Sequence, residues 1–175
     1  MEEFLEKFPR LYHVTREDNL PGIRANGLRC ARDLGADDAN RGSWTPVAGA
    51  WLRWQRMPDG PMASRLAEGR TPDAWRRHIN GLVFFFPSVK AAQGLIQVPK
   101  DVGVAQRILW VETAALSAAL AWCPFNNGFL DRSPPTRRRR RSPQDYRPLS
   151  EWRRGMPVRE VVSFQPVPPA LLHGL

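Results

Sequence analysis

The sequence predicts a mixed α+β fold. Three observations carry this. Residues 10–14, Arg-Leu-Tyr-His-Val, alternate apolar and polar side chains at the period of a strand. Residues 81–86, Gly-Leu-Val-Phe-Phe-Phe, form a continuous apolar run between breakers, as a buried strand does. Both segments are followed by helix-start chemistry, Asn19-Leu20-Pro21 after the first and Ser88 after the second.

In chain order, residues 2–8 read as a short helix with Phe4, Leu5 and Phe8 on one side, stopped by Pro9. The strand at 10–14 comes next. The following helix has Asn19 as N-cap, or Thr15 with Asp18 as a variant capping box. Pro21 suits its first turn and Leu20, Ile23 and Leu28 form its apolar stripe. Gly27 stands where a left-handed C-terminal turn needs it. Residues 30–80 are expected to be loops with one or two helices, one of them opened by Thr71-Pro72-Asp73 and running over 72–79. After the strand at 81–86, Ser88 caps a helix carrying Val89, Ala92, Leu95 and Ile96. Arg107 to Glu112 is the next strand, and Thr113 is expected to cap an alanine-rich helix reaching about Ala121. Residues 124–150 hold five prolines and the run Arg137 to Arg141, which predicts a mobile or wrapped loop. Pro157 to Phe164 is strand-like, and Pro168 to Leu172 begins a short final helix or turn.

A chain of 175 residues favours one domain over 1–175, large enough for a core without metals or disulfides. Hydrophobic residues make up 42%, which excludes a disordered chain. No apolar run approaches the roughly 20 residues of a membrane span. The acidic, amphipathic start lacks the features of a signal peptide, so a cytoplasmic location is expected. In that reducing setting Cys30 and Cys123 are expected to be buried free thiols, with a disulfide as the alternative. No Cys-x-x-Cys or His/Cys cluster exists, so no metal site is expected. The net charge is +9, and only Lys7, Lys90 and Lys100 are lysines, so the excess is arginine. Arginine makes bidentate phosphate contacts, which points to nucleic acid, DNA or RNA, as a partner. A solvated arginine-rich surface is the alternative.

Three blocks stand together. They are Leu11-Tyr12-His13-Val14-Thr15 with Asn19-Leu20-Pro21-Gly22-Ile23 and Asn26-Gly27-Leu28; Gly81 to Ser88; and Val158-Arg159-Glu160-Val161-Val162 with Val167-Pro168 and Leu171-Leu172. Their order and spacing resemble the ADP-ribosyltransferase superfamily. The first block resembles the opening shared by DarT-like toxins, RNA 2′-phosphotransferases and poly(ADP-ribose) polymerases, with the nearest likeness to DarT and small bacterial relatives. The resemblance covers both ends and the middle strand, and does not reach residues 30–75 or 130–150. It implies a split antiparallel β-core flanked by helices, with NAD as substrate.

By that resemblance His13 hydrogen-bonds a ribose of NAD, the backbone around Val14 grips the nicotinamide amide, and Thr15 caps the helix or touches the cofactor. Glu160 holds a hydroxyl of the nicotinamide ribose and stabilises the cationic sugar as nicotinamide leaves. Taken singly, His13 would be a strand-end histidine satisfied by backbone, and Glu160 a solvent-facing residue beside Arg159. Phe84 or Phe85 lies against the nicotinamide ring, where the polymerases use tyrosine, and alternation leaves at least one of the three phenylalanines as core. The diphosphate calls for an arginine. Arg41 is the candidate, with Arg53 and Arg56 competing. Asn126-Asn127-Gly128 is a turn or a polar rim of the cleft. Arg137, Arg138, Arg139, Arg140 and Arg141 follow a nucleic-acid backbone, form a solvated loop, or meet an antitoxin protein.

The expected activity is NAD-dependent ADP-ribosyl transfer to a macromolecule, nucleic acid foremost, in a toxin or defence setting. RNA 2′-phosphotransfer is the enzymatic alternative, but the further basic residues that family needs cannot be matched here. An inactive nucleic-acid-binding or protein-binding module on the same fold is the alternative from another class.

Overall fold

The computed structural model describes residues 1–36, 44–53, 59–97, 103–125 and 140–175. Helix α1, Glu2–Lys7, buries Phe4 completely and ends before Pro9. Strand β1, Arg10–Arg16, pairs antiparallel with β5, Gln106–Glu112, so that His13 stands opposite Leu109. Helix α2, Leu20–Asn26, buries Leu20 and Ile23. It ends at Gly27 with φ +75°, where a Cβ would stand 2.0 Å from the Val167 carbonyl oxygen.

A second, larger sheet has the strand order β4-β8-β6-β7, antiparallel throughout. Its members are β4, Val83–Phe85; β6, Leu120–Cys123; β7, Arg147–Pro148; and β8, Glu160–Ser163. Tyr12 and Phe86 link the two sheets, exchanging both main-chain hydrogen bonds at 3.0 and 2.7 Å. The strands carrying the three sequence blocks, β1, β4 and β8, are therefore consecutive. One core lies between the sheets and α1, α2 and the C-terminal residues, with Leu11, Phe85, Leu109, Trp122 and Val161 among its members. A second core lies on the other face of the larger sheet. It is built from Met62, Trp75, Ile79, Tyr146 and Val162 under α3, Asp59–Ala63, and α4, Pro72–Asn80. Among the described residues no helix is long and apolar enough to cross a membrane.

Two of the four expected helix N-caps hold. The Thr71 side chain accepts from the Ala74 amide at the start of α4, and Ser88 accepts from Ala91 at the start of α5, Val89–Ile96. On α5, Ala92 is buried but Val89 is 44% exposed, so the apolar stripe is narrower than predicted. Both cysteines are buried free thiols.

Four expectations need correction. Asn19 precedes α2 without capping it. Its side-chain amide instead pairs with the main chain of Trp51, donating to the carbonyl at 2.8 Å and accepting from the amide at 2.7 Å. Trp51 belongs to a hairpin of β2, Trp44–Val47, and β3, Ala50–Arg53, that the sequence did not suggest. Its two turn residues, Ala48 and Gly49, both have positive φ. Such turns favour Asn-Gly or Asp-Gly, and alanine at the first position hides the signal. The alanine-rich helix α6 spans only Thr113–Leu116, and Leu120–Cys123 is strand. Those four residues are buried between β8 and β7, so sheet pairing overrides their helical propensity. Thr113 does not cap α6 either, because its hydroxyl donates to the Phe8 carbonyl. Finally, of the stretch expected to be a mobile or wrapped loop, residues 140–150 are wrapped, with Arg141, Asp145, Tyr146 and Leu149 buried, and residues 126–139 lie outside the described residues.

Candidate functional site

The site begins where the two sheets part. After the Tyr12–Phe86 pair, continued ladder pairing would join Val14 to Phe84. That pair does not form. Nδ1 of His13 lies 2.8 Å from the Phe84 carbonyl oxygen instead. A histidine side chain thus occupies the position of a ladder hydrogen bond at the split, its ring edge-on to Phe85 at 6.0 Å.

This contact fixes the chemistry of the ring. A carbonyl only accepts, so Nδ1 carries the proton. Burial holds the imidazole below its ordinary pKa, against a smaller upward effect of the Phe84 bond. The ring is therefore neutral near pH 7, and Nε2 is an acceptor. His13 offers a hydroxyl one lone pair, and its donor is already committed to the main chain.

The second half of the site is built on β8. Phe85 pairs with Val161, so one residue further Glu160 lies level with Phe86, and Phe86 is level with Tyr12. Two inter-strand steps of about 5 Å each separate Tyr12 from Glu160 along this row, which puts the Cα atoms of His13 and Glu160 roughly 10 Å apart. Glu160 is not the solvent-facing strand residue that its neighbour Arg159 suggests: it is 2% exposed. Its Oε2 accepts from the Tyr146 hydroxyl at 3.1 Å. A buried carboxylate is costly, and such groups concentrate at functional sites.

The other site candidates separate clearly. Val14 is core, 8% exposed. Thr15 is buried, and its hydroxyl accepts from the Asn19 amide at 3.0 Å rather than capping α2. Phe85 is 1% exposed and belongs to the core, whereas Phe84 is only partly buried, so the ring-stacking expectation narrows to Phe84. Arg41, Arg56, Asn126 to Gly128 and Arg137 to Arg139 lie outside the described residues, as does the Arg53 side chain. Arg140 is exposed, but Arg141 is 4% exposed and its main chain pairs with Arg65 and Ala67. Arg141 therefore leaves the solvent-facing arginine run. Glu112 is half-exposed and ion-paired with Arg10 at 3.2 Å, and Glu151 is exposed.

Sequence reasoning missed Tyr146, because it sits in the proline-rich stretch read as irregular. The signal was local. Ser142-Pro143-Gln144-Asp145 forms a capping box, and the apolar residues Tyr146, Leu149 and Trp152 recur at a spacing of three just beyond it. No curated protein and no solved structure matches the chain. A family model described as a family of unknown function (DUF7002) matches residues 9–166, a span that includes both His13 and Glu160, and the chain belongs to that family.

Proposed function

We propose that the protein is an ADP-ribosyltransferase that splits NAD between His13 and Glu160 and passes ADP-ribose to a macromolecule. One observation carries this: the three strands named by the sequence blocks are adjacent, and two strand steps separate the backbone of the histidine strand from that of the buried glutamate, with the Cα atoms of His13 and Glu160 roughly 10 Å apart. In the reaction the bond from the ribose C1′ to nicotinamide breaks, and the bonding pair leaves with nicotinamide. The carboxylate of Glu160 stabilises the cationic sugar and holds a ribose hydroxyl. His13 Nε2 accepts from a ribose hydroxyl of NAD. The acceptor nucleophile then bonds C1′ and loses its proton. The charge of +9 favours nucleic acid as acceptor, in a toxin or defence setting.

A second assignment, a non-catalytic binding module on the same fold, draws on the burial of Glu160, since substrate must uncover the carboxylate to use it. Nicotinamide release separates the two. The transferase releases nicotinamide from NAD and leaves labelled ADP-ribose on one of three fractions, DNA, RNA or lysate protein. No release with any acceptor sinks the transferase assignment.

A further inference from the structure

The geometry points to Tyr146 as the positioning residue of Glu160, a hydroxyl donor that fixes the carboxylate rotamer and keeps it ionised for NAD cleavage. This rests on the transferase assignment above. Three features support it.

First, the contact is buried at both ends: Tyr146 is 7% and Glu160 2% exposed, with Oη donating to Oε2 at 3.1 Å. In such surroundings a hydrogen bond to the charged form favours that form.

Second, Tyr146 is held from both sides. Before it, the Asp145 carboxylate accepts from the Ser142 amide at 3.0 Å, and the Tyr146 amide donates to the Pro143 carbonyl at 3.2 Å. After it, Arg147 and Pro148 pair with Trp122 and Ala121 in the larger sheet. The phenol ring packs on His78 at 5.8 Å, which in turn packs on Trp75 at 5.6 Å. A residue so fixed delivers its hydroxyl to one place.

Third, Tyr146 stays a donor. Burial pushes its ionisation well above the ordinary value of 10, and the charges of Glu160 and Cys123 push the same way, against a smaller opposing effect of Arg141. The charged and titratable groups around the phenol include Glu160 on β8, Cys123 on β6, Arg141 and the adjoining Asp145 on its own segment, and His78 on α4.

The test is Tyr146→Phe, which deletes one oxygen and keeps the ring. Hydrogen bonds to charged groups are worth enough to predict a fall in kcat for nicotinamide release of about 10- to 100-fold, with little change in KM for NAD. The acid limb of the kcat profile should move up by about one pH unit, because the carboxylate loses a donor that favours its charged form. The 13C titration of the Glu160 carboxyl, assigned with Glu160→Gln, should move the same way and needs no activity. If Tyr146→Phe is poorly folded, 3-fluorotyrosine in a Tyr12→Phe background gives a stronger donor at one site, and the carboxyl titration should move down. A merely structural Tyr146 would lower thermal stability and leave both titrations in place, which overturns the proposal. Wild-type protein that releases no nicotinamide overturns the transferase assignment, and the catalytic role of Tyr146 with it. An unmoved titration in an active enzyme overturns the Tyr146 role alone.

Discussion

The two halves of the site are made of different material. His13 is fixed by main chain: its strand is locked to β5 along seven residues, and its ring is bonded to the carbonyl of Phe84. Glu160 is held in part by a side chain, the hydroxyl of Tyr146, reached from a segment 14 residues away. A main-chain acceptor is present whatever side chain occupies position 84. A phenol is lost with one substitution. The histidine half should therefore tolerate change in its neighbours, and the glutamate half should not.

The largest effect expected is at Glu160. On the proposed mechanism Glu160→Gln keeps the side-chain volume and removes the charge that would face the cationic sugar, and loss of one preorganised electrostatic group costs about 100- to 1,000-fold in rate, or roughly 3–4 kcal/mol. NAD affinity should stay close to wild type. A folded Glu160→Gln protein with wild-type turnover would mean that another carboxylate does the work.

His13→Ala should be smaller and different in kind. On the proposed mechanism it removes a hydroxyl contact that would be made before and during bond breaking, so NAD binding and turnover should weaken together, by about tenfold. It also strands the Phe84 carbonyl, which should cost about 1–2 kcal/mol of stability. Calorimetry of NAD binding beside urea unfolding separates the two losses. A His13→Ala protein with unchanged stability would show that the imidazole does not stand in for the ladder bond.

The same contrast explains what was legible in the sequence. The capped helices, β1, β4, β5, β8 and the Gly27 stop were readable because their causes are local: alternation, side-chain caps and a positive φ. The His13 and Glu160 blocks were readable as parts of such elements. What escaped depends on distant partners. The Leu120–Cys123 segment reads as helix until β7 and β8 claim it. Asn19 reads as a cap until the Trp51 main chain competes for its amide. Tyr146, in the turn just before β7, looks like loop because the partner of its hydroxyl lies on β8. Arg141 shows the limit of charge counting: it belongs by composition to a solvated run and by structure to the interior.

Gly27 tests the seam between the halves. Leu28 and Val167 exchange main-chain hydrogen bonds at 2.9 and 2.8 Å, tying the end of α2 to the chain beyond β8. Gly27→Ala adds a methyl that meets the Val167 carbonyl, at a φ and ψ (+75°, −173°) that glycine almost alone adopts. The cost should be about 2 kcal/mol, read as a melting temperature lower by roughly 4–8 °C. An unshifted transition would mean that the seam yields freely and the two halves are not held in one register.

The smallest effect is the pH dependence of stability, and it belongs to both halves. His13 lies below its ordinary value of 6.5 because burial disfavours its charged form. His78, beneath Tyr146, lies below it through burial and then the charge of Arg70. For both, the unfolded chain binds protons at a pH where the folded chain does not, so stability rises with pH across that interval. Their contribution is fully present above pH 6.5 and is lost as pH falls from there through the folded-state values. Urea unfolding at pH 8, 6 and 5 should show the decline. His13→Gln combined with His78→Gln should make it shallower, since glutamine has no proton to gain. The single variants divide the effect. His78 is the more exposed to solvent screening of the two, because a larger part of its shift comes from a surface charge, so raising salt should weaken the His78 share and spare the His13 share. A decline of equal slope in wild type and double variant would place the acid sensitivity in carboxylates elsewhere, and would leave His13 free to gain a proton inside the site.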